Sequence, residues 1–164
     1  MEAKGAFGAF AGIVFLLLGT TADAQLAKRG TYTSQFGWHA TTKPLNLEEG
    51  HVFMMIEPVG INLNDAGSGF LHGAAVTCLG VRDIIKGASN AHGYCTAIDA
   101  DGDKAFLVWK CAGQPGGRCE GDFQWTGGTG KYTGLKGNNS FHSGLVPNTN
   151  SGYSVWKGEW KLPD

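Results

Sequence analysis

Four cysteines carry the most constrained chemistry in this 164-residue chain: Cys78, Cys95, Cys111 and Cys119. Their separations of 17, 16 and 8 residues contain no C-x-x-C knuckle, so a zinc centre is disfavoured and two disulfides are expected. Hairpin register selects the pairing. Lys86-Gly87, read as a two-residue turn, sets Cys78 opposite Cys95; opposed strand residues lie about 4.5–5.5 Å apart at Cα, within disulfide reach. Cys111 and Cys119 flank the turn-rich Ala112–Arg118 segment and can close it. The expected pairs are therefore Cys78–Cys95 and Cys111–Cys119. Asp101-Gly102, read the same way, sets Tyr94 opposite Trp109.

Proton-transfer chemistry would have to come from dispersed groups. His39, His51, His72, His92 and His142 are scattered along the chain without H-x-H or H-E-x-x-H spacing, so no metal and no organic cofactor is expected. Period-two alternation puts His51, Phe53, Met55 and Glu57 on one strand face. Facing inward, Glu57 would be a buried carboxylate suited to general acid or base work; facing outward, it is an ordinary surface charge. His39, Glu57 and His142 are the candidate proton donors or acceptors. No G-x-S-x-G signature occurs and every cysteine is assigned to a disulfide, which disfavours covalent hydrolysis.

Asp99-Ala100-Asp101-Gly102-Asp103-Lys104 has the look of a calcium loop. Counted from Asp99, however, its glycine stands fourth and its twelfth residue is Lys110, where an EF-hand loop needs glycine sixth and an acid twelfth. An Asp-Gly hairpin with solvated flanking charges is the expected structure, with a weak surface calcium site as the alternative.

The elements that must position these residues are strands. Glycine makes up 27 of the 164 residues, spread among aromatic and β-branched positions, and no amphipathic helix follows Ala24. Eight extended segments are expected: Gly30–His39, His51–Leu63, Phe70–Val81, Ser89–Ile98, Asp103–Cys111, Arg118–Thr126, Leu135–Val146 and Gly152–Lys161. Pro58 predicts a break in the second segment's ladder. Between segments lie Asn64-Asp65-Ala66-Gly67, Lys86-Gly87, Asp101-Gly102, Gln114-Pro115-Gly116-Gly117 and Pro147-Asn148-Thr149-Asn150, all with turn chemistry. Short connections between successive strands predict an all-β antiparallel meander. Eight such strands can close into a barrel, with a two-sheet sandwich as the alternative.

Thr126-Gly127-Gly128-Thr129-Gly130-Lys131-Tyr132-Thr133-Gly134-Leu135-Lys136-Gly137 is the most distinctive stretch. It resembles the G-G-T/S-G-x-[FY]-x-G/A-x-x-G pattern that follows a late strand in the allene oxide cyclase and dirigent barrels. The likeness extends to the order of the preceding segments and points to a secreted bacterial member of the allene-oxide-cyclase-like group. It implies a closed, calycin-like, eight-stranded antiparallel barrel and admits isomerase or cyclase activity. It transfers no catalytic residue: Trp38–Gly50 shows no motif alignable to the cyclases' early strands, and the dirigent acids match none of Asp83, Asp99 or Asp122. A phosphate-binding loop is disfavoured because Tyr132 follows Lys131 and no helix follows the glycines. Instead the glycines permit a tight reversal, and Tyr132 is expected to pin the loop against the barrel end.

The first 24 residues read as a signal peptide. Met1–Lys4 is charged, Ala6–Leu18 is apolar, and Ala22-Asp23-Ala24 is a small-x-small cleavage site. The remaining single domain, 25–164, carries 12 basic and 12 acidic residues, which argues against nucleic acid or an anionic membrane surface as partner. Secretion or a periplasmic location is expected. Trp38, Trp109, Trp125, Trp156 and Trp160 fall in the strands, with Phe53, Tyr94, Phe123 and Phe141 alongside. Such side chains fill cores, and they also build pockets for flat or apolar molecules. Tyr94, Trp109, Trp38, Phe53 and Trp125 are the expected ligand contacts, with Tyr94 and Trp109 facing the cavity together. Three functions fit: a barrel that binds a small hydrophobic or aromatic molecule, a cyclase or isomerase, or a structural protein with a filled barrel. A second copy of the chain is a further candidate partner.

Overall fold

Side-chain alternation divides the chain into an inside and an outside. Along β1 (Arg29–Glu48) the even-numbered Tyr32, Ser34, Phe36 and Ala40 are buried, while odd-numbered neighbours such as Gln35 and His39 face solvent. The same alternation runs through β2 (His51–Asn64), β3 (Ala74–Ile85), β4 (Ala88–Ile98), β5 (Lys104–Gly113), β6 (Cys119–Gly128), β7 (Gly137–Leu145) and β8 (Ser151–Lys161), with even-numbered residues inward in β2, β3 and β8 and odd-numbered ones inward in β4 to β7. The strands pair in chain order, all antiparallel, and β8 returns to β1 to close an eight-stranded barrel. This computed structural model describes residues 26–113 and 118–164; the expected signal at 1–24 and the Gln114-Pro115-Gly116-Gly117 turn lie outside them. Among the described residues no helix is long and apolar enough to cross a membrane.

Two prolines sit where their missing N–H does least harm. β1 pairs with β8 only as far as His39, so Pro44, opposite Met54 of β2, has no second neighbour to serve. That lets β1 run to Glu48, well beyond the expected His39. At Glu57-Pro58 the β2–β3 ladder lapses and resumes at Val59 without a change of register, while pairing to β1 continues.

One end of the barrel is filled. The β2–β3 connection contains Phe70 and Leu71, which turn inward instead of starting β3, and Leu71 and Gly73 have φ of 51° and 73°. Two buried asparagines of β2 hold this loop: Asn62 Nδ2 donates to Leu71 O at 2.9 Å and Asn64 Nδ2 to Phe70 O at 3.2 Å. The Phe70 ring stacks on Trp160 at 4.8 Å and meets Trp125 and Tyr132 edge-on at 5.5 and 6.0 Å. Tyr132 comes from the 3-10 turn Gly130–Tyr132 within the glycine-rich segment.

Both disulfides are present, Cys78–Cys95 across β3 and β4 and Cys111–Cys119 across β5 and β6, and no cysteine is free. All four side chains point into the barrel. Outside, Met55, Val59, Ile61 and Leu63 of β2, Leu79 of β3, and Tyr94 and Ile98 of β4 leave an exposed apolar face.

Candidate functional site

The end opposite the plug is open. Between the strands there lies a cavity of about 330 Å³, floored by Phe36, Leu107, Phe123 and Trp156 and walled by Ile56, Ile84, Trp38, Trp109 and Phe141. Eight strands leave a bore that side chains can just fill or that can leave a small cavity, and here one half is filled and the other half encloses the cavity.

Glycines on neighbouring strands create the space for the two wall tryptophans. Gly80 of β3 faces Gly93 of β4, and Gly93 faces Trp109 of β5. The indole lies across the pair, and a Cβ placed on Gly80 would come within 2.6 Å of Trp109 Cζ2. Trp38 lies over Gly152 of β8 in the same manner, and its Nε1 donates to Ser154 Oγ at 3.2 Å. Trp109 Nε1 is buried and has no partner.

Arg82 is the single charged side chain among the residues lining the cavity. Its Nε is buried without a hydrogen-bond partner, and no carboxylate among the described residues forms an ion pair with it. Burial pulls its pKa down, yet a guanidinium retains its charge at neutral pH.

The expected site residues divide between the two faces. Trp38 and Trp109 line the cavity. Trp125 points inward but is only 2% exposed, below the cavity floor among Phe70, Phe123 and Trp156. Tyr94 is corrected: it is 68% exposed on the outer face, opposite Val108 and not Trp109. The physical cause is the β4–β5 connection. Asp99 Oδ1 accepts the N–H groups of Asp101 and Asp103 at 2.9 and 3.1 Å, which favours a five-residue loop over the two-residue turn and shifts the register by one. Phe53 is likewise on the outer face, since its neighbour Met54 lines the cavity. Glu57, His39 and His142 also face outward by parity, and His39 Nδ1 shares a hydrogen bond with exposed Ser151 Oγ at 3.1 Å. None of the three candidate acid–base groups reaches the interior.

The acidic loop and the glycine-rich segment satisfy each other. Lys131 Nζ lies 2.7 Å from Asp99 Oδ2 and also contacts Asp101, so a lysine of the protein supplies the cation. The Lys131 N–H donates to Asp103 Oδ2 at 3.1 Å, so the glycine loop holds an oxyanion of the chain itself. Burial pushes the Asp99 carboxyl up, but hydrogen bonds from Lys131, Tyr132 and the Asp101 N–H, with the Lys131 charge, outweigh it and hold its pKa below the ordinary 3.8. No group of three or more His, Cys, Asp or Glu among the described residues could hold a metal. Neither the protein-family models nor the curated proteins contain a match to this chain.

Sequence reasoning missed Arg82 and the plug. Arg82 had a usable signal: once Cys78 points inward, Gly80, Arg82 and Ile84 must follow it. Phe70 had none, because its segment reads as a strand start.

Proposed function

We propose that this protein binds a small hydrophobic or aromatic molecule in the open half of its barrel. The observation that carries this is the 330 Å³ cavity, walled by two tryptophans laid over glycines on adjacent strands. Among the lining residues there is no carboxylate and no imidazole, which favours retention of the ligand over its conversion. Replacing Trp109 with Ala should weaken binding of a polyene or naphthalene probe roughly tenfold, the scale of losing one aromatic wall. Val108→Ala, on the outer face, should leave it unchanged. Titration followed by tryptophan fluorescence reads both; equal effects from the two variants would refute the site.

Two further proposals accompany it. The strand number, chain-order pairing and plugging role of Tyr132 support membership of the allene-oxide-cyclase-like barrels. Two inward disulfides support function in an oxidising compartment after export, and exported protein should begin near Gln25.

A further inference from the structure

The cavity lining is mainly apolar; Thr42, Ser143, Thr149, Asn150 and Ser154 are its neutral polar side chains and Arg82 is its one charge. Arg82 enters from β3, and the Trp109 indole reaches across to Gly80, two residues before Arg82 on the same strand face. Arg82 Nε and Trp109 Nε1 are both buried and both without an acceptor. Two other donors of the lining are used: Trp38 Nε1 donates to Ser154 Oγ, and Thr149 Oγ1 in the β7–β8 connection donates to the carbonyl of Val146 at 2.9 Å. Two unsatisfied donors therefore share one mainly apolar chamber, and one of them is cationic.

A buried donor without an acceptor costs about 1–3 kcal/mol, more when it is charged, so such groups in a folded protein call for an acceptor. No carboxylate of the described chain supplies one. We propose that Arg82, with the Trp109 N–H as a second free donor in the same cavity, receives the carboxylate of an anionic ligand whose apolar body fills the chamber above Phe123 and Trp156. A planar guanidinium suits a planar carboxylate, which it can engage through two parallel N–H bonds. The inference depends on the binding function proposed above and adds the charge class of the ligand. An aliphatic or an aromatic carboxylate would present the same group to Arg82, so the body is left to experiment.

Isothermal titration calorimetry of the folded protein with matched probes tests this: 2-naphthoate against 2-naphthamide, and decanoate against decanamide. Each pair keeps the apolar body and removes the charge. In at least one pair the carboxylate should bind roughly tenfold more tightly or better, the scale of a hydrogen bond to a charged group. Arg82→Gln should erase that preference while leaving amide binding in place, and Arg82→Lys should retain part of it. Circular dichroism checks the fold of each variant; should Arg82→Gln fail to fold, the wild-type preference and its reduction in Arg82→Lys decide. Carboxylate and amide binding equally to the wild type, or a full preference surviving loss of the guanidinium, would overturn the anion site and leave cavity binding standing. If no probe binds and Trp38 and Trp109 fluorescence is unmoved, cavity binding and the anion site both fall.

Discussion

Phe70→Ala should remove a large part of the barrel's stability. The ring is 4% exposed and touches four others: Trp160, Tyr32, Trp125 and Tyr132. Burying a phenylalanine contributes about 1.5–3 kcal/mol, and the void left by truncation raises the observed cost of such changes to about 3–5 kcal/mol. Collapse into the void is hindered here, because Asn62 and Asn64 hold the Leu71 and Phe70 carbonyls from the barrel wall. The loss should therefore fall near the top of that range, about 4–5 kcal/mol, against a total of ~5–15 kcal/mol for a domain. Equilibrium urea unfolding with disulfides intact should show a midpoint lowered by roughly 1.3–5 M, for slopes of about 1–3 kcal/mol/M. Phe53→Ala on the outer face provides the comparison and should cost about 1 kcal/mol or less. A Phe70→Ala loss no greater than that of Phe53→Ala would show that the loop does not plug the barrel.

Asp99 and Lys131 predict a stability plateau with two edges. The Asp99 pKa is depressed, so its contribution is present above 3.8 and is lost as pH falls through the folded value. For Lys131, burial pulls the ammonium down, but hydrogen bonds to Asp101 and Asp99 and their charges raise it above 10.5 overall; its contribution is present below that value and is lost as pH rises through the folded one. Thermal melts across the pH range should show both edges, and Asp99→Ala should flatten the acid one; an unchanged acid edge would refute the coupling. Removing Cys111–Cys119 by paired Cys→Ala should cost about 2.5 kcal/mol and removing Cys78–Cys95 about 3 kcal/mol by loop entropy. Non-reducing peptide mapping should recover those two pairs, and a Cys95–Cys111 peptide would show that the barrel register is wrong.

What is local in this protein could be read from the chain. The Cys78–Cys95 pairing follows from a single turn, because a hairpin's register depends on the few residues at its tip; Lys86 and Gly87 take positive φ there, as the two-residue turn requires. Strand count and order follow from glycine spacing and short connections for the same reason. Tyr94 shows how far a dipeptide can mislead. Asp101-Gly102 has turn chemistry, but Asp99, two residues earlier, captures two backbone N–H groups and widens the loop. One residue of register moves an aromatic ring from the cavity to solvent. The disulfides already held the correction, since Cys95 inward requires Tyr94 outward.

The site belongs to the closed barrel. Trp109 lies flat only because two other strands place glycines at its level, and that alignment exists once β3, β4 and β5 are in register. Arg82 lacks a counter-charge because of what seven other strands put around it, which no window of sequence contains. The depth of the cavity depends on Phe70, which is carried inward by a loop whose carbonyls two β2 asparagines hold. Alternation along a strand assigns each side chain to a face. Whether the inner face encloses protein or empty space depends on volumes summed across eight strands at one height, a quantity that comes into being only when the barrel closes.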